Sequence, residues 1–516
     1  MRRTDLIRKN NAMLKVSVIM GVPGSGKTYS LLQKMISEPA KYLVALPRRD
    51  FIVETMAPII NKISTEHLPI TISGIYHDPD KRRQIPVATQ LEQAPELYRS
   101  ADHIILFATH EGIMASDLSS YYDWNIVIDE TPNAILSDAK NLGVSARLLK
   151  EFIDLRPITT QGWSQAFLNS NAPTQLEIHK DECLKSLANL FKRLRSDQAV
   201  YFNIETWAEL RNNKKRLAWV SQWSLSQLGA FKSITLAGSG FFNSIIYKVM
   251  LAREPDTIQY AKEIIATTRQ TLPDIIIRYF TSGHRGSTAY WKTEDGKECL
   301  KAISNYFYQK QASDYYWSAN NGVSTSLRNS MKGIEVSPKQ EGSNSLKHYP
   351  SAVMIYSNKS QDVDEPICSL YNLSEDDIEA ARETEDLIQF VMRGSIRDQS
   401  SSDSYTIYVY DSVQAERLKV FFNSNQIAAA KTEPVMEAGI MHVCRAPRGR
   451  KPTLGISETV EQRKARYKEN DRIRQAAKRK LLANDRRANK TYRGRGRPTN
   501  IEVQREAEKL RNSIGK

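Results

Sequence analysis

Eight residues near the start of the chain, Gly21 to Thr28, read G-V-P-G-S-G-K-T. This is the spacing G-x-x-x-x-G-K-[ST], and its chemistry is the holding of a phosphate. Gly21, Gly24, Ser25 and Gly26 let backbone N–H groups wrap the oxygens, and a helix starting near Gly26 points its positive end at them. Lys27 would reach the β- and γ-phosphates, and the Thr28 hydroxyl would ligate Mg²⁺. A bare strand–turn–helix without ligand is the bland reading. It is disfavoured because an apolar run precedes the loop and a helical pattern follows it. A second group stands a hundred residues on. Asp129 and Glu130 close the apolar run N-I-V-I-D-E, so both reach the carboxyl edge of a parallel sheet, the edge that carries the glycine loop. There Asp129 would hold Mg²⁺ through water and Glu130 would orient and deprotonate an attacking water. The bland reading is an acidic strand end facing solvent.

With D-E-T-P at 129–132 in hand, the chain resembles the DExD/H-type helicases of superfamily 2. Further stretches follow in the family's order. V-A-L-P-R-R-D (44–50), with Arg48 and Arg49, resembles the motif that contacts the nucleic-acid backbone. F-A-T-H-E-G (107–112) resembles the next strand-end motif, and T-L-A-G-S-G (235–240) the third motif, whose usual form is Ser-Ala-Thr. S-P-K-Q-E-G-S-N (337–344) resembles the fifth, and Q-F-V-M-R-G-S-I-R (389–397) the sixth. The resemblance spans 15 to about 425. It implies two RecA-like domains with ATP and Mg²⁺ between them, and Gln389, Arg393 and Arg397 facing the loop from the second domain. The family spaces its two arginines three apart, whereas here they stand four apart, which makes Arg393 the safer arginine finger. On a continuous helix, positions 393 and 397 would share one face. The bland alternative is a pair of solvated arginines near Asp398 and Glu385.

The elements that must position these groups are legible as alternation. Strands are expected at 15–20, 41–46, 103–110, 125–130 and 233–240, with helices at 26–37 and 50–64, the latter capped by Asp50. Alternation of this kind argues for an α/β fold with a parallel sheet covered on both faces. A second set follows: strands at 275–280, 314–320, 351–357 and 405–411, helices at 297–308 and 374–392. Residues 257–271 read as a helical link. The expected division is a first RecA-like domain over 1–255, a second over 256–427 and a basic tail over 428–516. Residues 134–230 fit neither sheet and read as a mostly helical insertion in the first domain. Its tryptophans, 163, 207, 219 and 223, either form a core or stack single-stranded bases, and core is the commoner use. His110, between strand and helix, either lines the cleft or packs.

Charge is segregated. The 516 residues carry a net +15, yet residues 431–516 hold 24 Lys and Arg against 10 Asp and Glu, while the first 430 hold 49 against 48. A near-neutral body with a cationic tail points to a polyanion partner. R-G-R-G-R-P, with Arg493, Arg495 and Arg497, and R-G-R-K-P, with Arg448 and Arg450, resemble AT-hooks that lie in a narrow minor groove; a generic basic tail is the equal alternative. Either version binds nucleic acid, DNA before RNA. Four cysteines without C-x-x-C spacing fit no zinc or disulfide framework. No apolar run is long enough for a membrane span, so the expected location is cytoplasmic, or nuclear in a eukaryotic host. The expected activity is an ATP-driven DNA helicase in replication or recombination, of a kind that suits a virus, phage or other mobile element. A packaging ATPase would need a carboxylate cluster, for which Asp403 and Asp411 are the nearest candidates. A nucleotide-switched DNA-binding regulator is the other class.

Overall fold

A computed structural model describes residues 13–444, apart from 81–83, 141–144, 197, 210–216, 266–271, 311–312, 339–344 and 399, together with a few positions between 468 and 479. The chain divides into two units, 1–445 and 446–516. In the second unit the described positions, among them Lys468, Glu469 and Arg472, are helical, and Arg472 pairs with Glu469 at 3.1 Å. The tail arginines 448, 450, 493, 495 and 497 lie outside the described residues.

In the first unit the apolar runs become strands. They are β1 (Leu14–Met20), β2 (Lys41–Leu46), β3 (Thr71–Ile75), β4 (Ile104–Thr109) and β5 (Trp124–Asp129). The insertion then adds β6 (Ile135–Lys140), β7 (Ile153–Pro157), β8 (Trp163–Leu168), β9 (Ala199–Asn203) and β10 (Leu217–Gln222). The chain returns with β11 (Ser233–Ala237) and β12 (Ile258–Ile264). It continues through β13 (Ile275–Thr281), β14 (Tyr316–Ala319), β15 (Ile334–Glu335), β16 (Ser351–Ile355), β17 (Tyr405–Asp411) and β18 (Lys431–Pro434). The first parallel sheet runs β12-β1-β11-β5-β2-β4-β3 and the second β15-β14-β16-β17-β13-β18, parallel throughout. Parallel strands bury both faces, which is why they read as unbroken Val, Ile and Leu. One face of the first sheet packs Val16, Leu43, Leu106 and Ile128; the other packs Ile19, Val44, Ile105 and Val127 under the helices Lys27–Ser37 and Arg49–Glu66. The two-sheet α/β architecture is as expected.

The structure departs from expectation in several places. The insertion is not mostly helical: β6-β10-β9-β8-β7 form an antiparallel sheet, with the helices Gln175–Lys180 and Ala188–Arg195 beside it. Its tryptophans are core; Trp163, Trp219 and Trp223 are buried and Trp207 stacks on Phe202 at 5.0 Å. The link expected to be helical is β12, in register with β1 from Leu14↔Ile258 to Met20↔Ile264. The helix after β2 begins at Arg49 with Arg48 at its N-cap, so Asp50 lies in the first turn. Beyond 427 the chain stays in the fold, for β18 pairs with β13, and Val435, Ile440 and Met441 are buried.

Candidate active site

The glycine loop sits between the end of β1 and the helix Lys27–Ser37. Gly24 and Gly26 have φ of +87° and +85°, a region closed to most side chains and one that turns successive N–H groups inward. A side chain at Gly21 would collide with the Ser25 hydroxyl. Lys27 is buried, and its ammonium donates to the carbonyls of Gly21 (2.8 Å) and Val22 (3.2 Å), so it lies folded along the loop. Burial lowers its pKa; the carboxylates of Glu130, Asp129 and Glu385 act against that shift.

β11 lies between β1 and β5, so the end of β5 comes across to the loop. Thr28 Oγ1 donates to Asp129 Oδ2 at 2.8 Å. Asp129 is buried, and its carbonyl is held by His110 Nε2 at 2.9 Å. Burial drives the His110 pKa down to about 4, so the ring is neutral and donates that bond. His110 is thus a support beneath Asp129. Glu130 has φ of +64°, and its N–H donates to the Ala237 carbonyl at 2.7 Å. A left-handed glutamate costs roughly 1–3 kcal/mol, and such strain is held where surroundings fix a side chain for use.

The second parallel sheet supplies the opposite wall. The helix expected to carry both arginines ends at Val391, and a turn with a short 3₁₀ segment at Ser395–Arg397 follows. The two arginines therefore do not share a helical face, yet both line one cavity of about 590 Å³ with Gly24, Lys27, Thr28, Asp129, Glu130 and Gln389. Arg393 is buried and its Nε donates to the Gln389 carbonyl at 2.9 Å. Arg397 lies over Gly24, where an added Cβ would meet its Cγ at 3.3 Å, and burial lowers its pKa. Arg397 therefore lies against the loop.

The structure adds contacts that spacing did not show. Ser239, just after β11, donates to Glu385 Oε1 at 3.0 Å, and Gln389 Nε2 reaches Ser239 Oγ at 3.2 Å and Glu385 Oε1 at 3.0 Å. Gly240 is small because a side chain there would collide with the Glu385 carboxylate. Lys347 joins the cavity wall. Glu385 had no signal as a site residue in its own stretch, while Lys347 follows the fifth-motif stretch, of which 339–344 lie outside the described residues. Arg48 stays at the N-cap of its helix. Arg49 points away from this cavity, 6.0 Å from the Tyr76 ring centroid and 4.0 Å from Asp78. Among the described residues no three His, Cys, Asp or Glu side chains form a metal cluster, and none of the helices is long and apolar enough to cross a membrane.

No family model and no curated protein matches the chain. Solved structures do. An apo XPD structure has a TM-score of 0.44 and 13% identity, covering 84% of this chain and 99% of its own. Xpd4 of S. tokodaii has 0.43 and 13%, covering 84% and 98%. The DEAD-box helicase Mss116, bound to single-stranded RNA and UDP-BeF, has 0.33 and 11%, covering 98% and 84%. The roles of individual residues rest on the geometry of the cavity.

Proposed function

We propose that the chain is an ATP-driven translocase on nucleic acid, a DNA helicase of the two-sheet type acting in replication or recombination. One observation carries the reading: a single cavity gathers a phosphate loop and an acid pair from one sheet and Gln389, Arg393 and Arg397 from another. The loop amides and Lys27 would bind the phosphates of ATP. Thr28 Oγ1 and Asp129 Oδ2, 2.8 Å apart, are an oxygen pair of the kind that holds Mg²⁺ directly or through water. When bound, the ion neutralises charge on the phosphate oxygens. Glu130 orients a water against the terminal phosphate and takes its proton. Arg397 and Arg393 bring positive charge from the second sheet only while the two sheets are closed, so turnover and closure are tied together.

The preference for DNA over RNA rests on the tail's R-G-R-P sequence, which resembles a minor-groove hook. The packaging reading loses its support at Asp411, which is buried, accepts from Gly286 N at 2.9 Å and caps the following helix. The test is Lys27→Ala. ATP turnover should fall by at least about a hundredfold, the scale of losing one donor to a developing charge, at an unchanged unfolding temperature. Turnover at the parent rate would refute the site.

A further inference from the structure

The helical run that carries Gln389 is not one regular helix. It starts on the N-cap Ser374, passes through a π-helical turn at Ala380–Thr384 and resumes as an α-helix at Glu385–Val391. A π-turn holds one residue more than an α-turn, so side chains beyond it are rotated by about 100° against those before it. The two ends accordingly serve different neighbours. Before the turn, Ile378 packs in one cluster with Trp163 and Tyr201 of the insertion, and Asp377 pairs with Lys248 at 2.5 Å. Beyond it, Leu387, Phe390 and Val391 enter the core of the second parallel sheet. That leaves Glu385 and Gln389, four residues apart, on the face toward Ser239. Within the turn, Glu383 is fully buried. Its Oε1 accepts from Gln414 Nε2 at 2.9 Å and lies 3.3 Å from Lys359 Nζ, and its Oε2 accepts from the Asn358 N–H at 2.8 Å. Lys359 Nζ also donates to the Gly286 carbonyl at 2.8 Å and lies 3.8 Å from Oδ2 of Asp411, itself fully buried. The chain beyond the carboxyl ends of β13, β16 and β17 thus converges on the turn. Neither Lys359 nor Glu383 lines the nucleotide cavity.

We propose that Lys359 and Glu383 are positioning residues for the nucleotide cavity: the buried pair holds the π-turn, and the turn sets the register in which Gln389 and Arg393 face the phosphate loop. The inference rests on the hydrolysis reading above for the step it serves. A buried ion pair adds little net stability, because desolvation offsets the attraction; what it supplies is direction, through donors and acceptors at fixed places. Direction is what a π-turn needs, since the turn is rare and recurs at functional sites. If it relaxed to a regular α-helix, the faces before and after it would come into line. Either Ile378 would leave the insertion, or Gln389 would rotate away from Ser239 and the cavity. The pair thus acts on the chemistry through the helix and not by touching nucleotide.

The test is Glu383→Gln in the full chain, which keeps the shape of the side chain and removes its charge. Turnover at saturating ATP should fall at least about tenfold while KM stays within about twofold, because the phosphate loop still binds and the groups on the second parallel sheet are misaimed. Lys359→Met should show the same split. Ile303→Ala, in the core on the other face of that sheet, is the matched loss of stability and should not show it. Parent turnover in Glu383→Gln, or an equal fall in Ile303→Ala, would overturn the proposal. Hydrogen–deuterium exchange of the nucleotide-free chain gives a reading that needs no hydrolysis. In Glu383→Gln the amides of residues 385–393 should exchange at least about tenfold faster, with β13 and β17 unchanged. Unchanged exchange in that segment would overturn the positioning role whether or not ATP is hydrolysed, whereas an unaltered chain that hydrolyses no ATP would count against the hydrolysis reading alone.

Discussion

Asp129 and Glu130 are neighbours in sequence with different surroundings. Asp129 is buried, bonded to Thr28 and braced by His110, whereas the backbone of Glu130 turns left-handed. On the proposed reading the two carboxylates divide the work. Glu130→Gln should keep nucleotide affinity within about twofold and lose roughly 10²–10⁴ in turnover, the range of a lost general base; a binding titration beside a steady-state rate separates the two. Equal loss of both would reject the division. The arginines give a second contrast. Arg397 lies over Gly24 while Arg393 is tied to the Gln389 carbonyl. Arg397→Ala should cost more turnover, up to the roughly 10³–10⁵ range of an arginine finger, and Arg393→Ala less. The reverse order would place the finger at Arg393. Legibility at this scale is local: the loop declares itself in eight residues and the acid pair by ending an apolar strand. Gln389 and the stretch holding Ser239 are legible as motifs, but their bonding to Glu385 is not, since polar residues on two sheets meet only when the sheets face each other. The one-residue offset of Arg397 is a defect only on a continuous helix; the turn after Val391 changes where it reaches.

Between the insertion and the second sheet stands a junction that none of the motifs announces. Ile135, Trp163, Tyr201 and Val220 of the insertion pack with Ile367, Leu370 and Tyr371 of the helix Glu365–Tyr371. Tyr371 OH donates to Gln222 Oε1 at 2.9 Å, and Trp163 Nε1 donates to Ser369 Oγ at 3.3 Å. The Arg253 guanidinium lies 5.2 Å from the Tyr201 ring and 5.4 Å from the Tyr371 ring, a cation between two aromatic faces. Movement of the second sheet must pivot at this contact or break it. Tyr371→Ala should cost about 3 kcal/mol, the low end for emptying a buried aromatic site, seen as a lower unfolding midpoint and a broader distance distribution between fluorophores on the two sheets. An unchanged distribution would show that the junction does not restrain the cleft. The insertion's sheet escapes the sequence for a physical reason. Its strands are only five or six residues long, I-D-L-R-P is mostly exposed, and L-A-W-V-S-Q, though buried throughout, ends on Ser221 and Gln222, so no long apolar run marks them. β12 escapes likewise: as an edge strand it buries Ile258 and exposes most of its remaining residues. The buried parallel strands, by contrast, are legible almost residue for residue.

At the scale of the whole molecule, charge is segregated. The second sheet needs β18 and the buried residues through Met441, so a chain cut at 428 would lose an edge strand and part of its core; Cys444 is the sound place to end it. The residues from 445 on carry most of the excess positive charge, and the body before them holds the nucleotide cavity. A chain ending at Cys444 should keep its basal turnover and reach the same DNA-stimulated maximum, but need more DNA to reach it, since the tail raises local concentration without entering the cycle. Loss of the maximum itself would put the tail inside the mechanism. The central claim is that closure of two sheets on ATP is coupled to a strand of DNA. The measurement that meets it most directly is the steady-state rate of ATP hydrolysis across a titration of single-stranded DNA. The account expects a rate that climbs and saturates in the full chain and stays at background in Lys27→Ala. A rate indifferent to DNA, with ATP still hydrolysed, would contradict it.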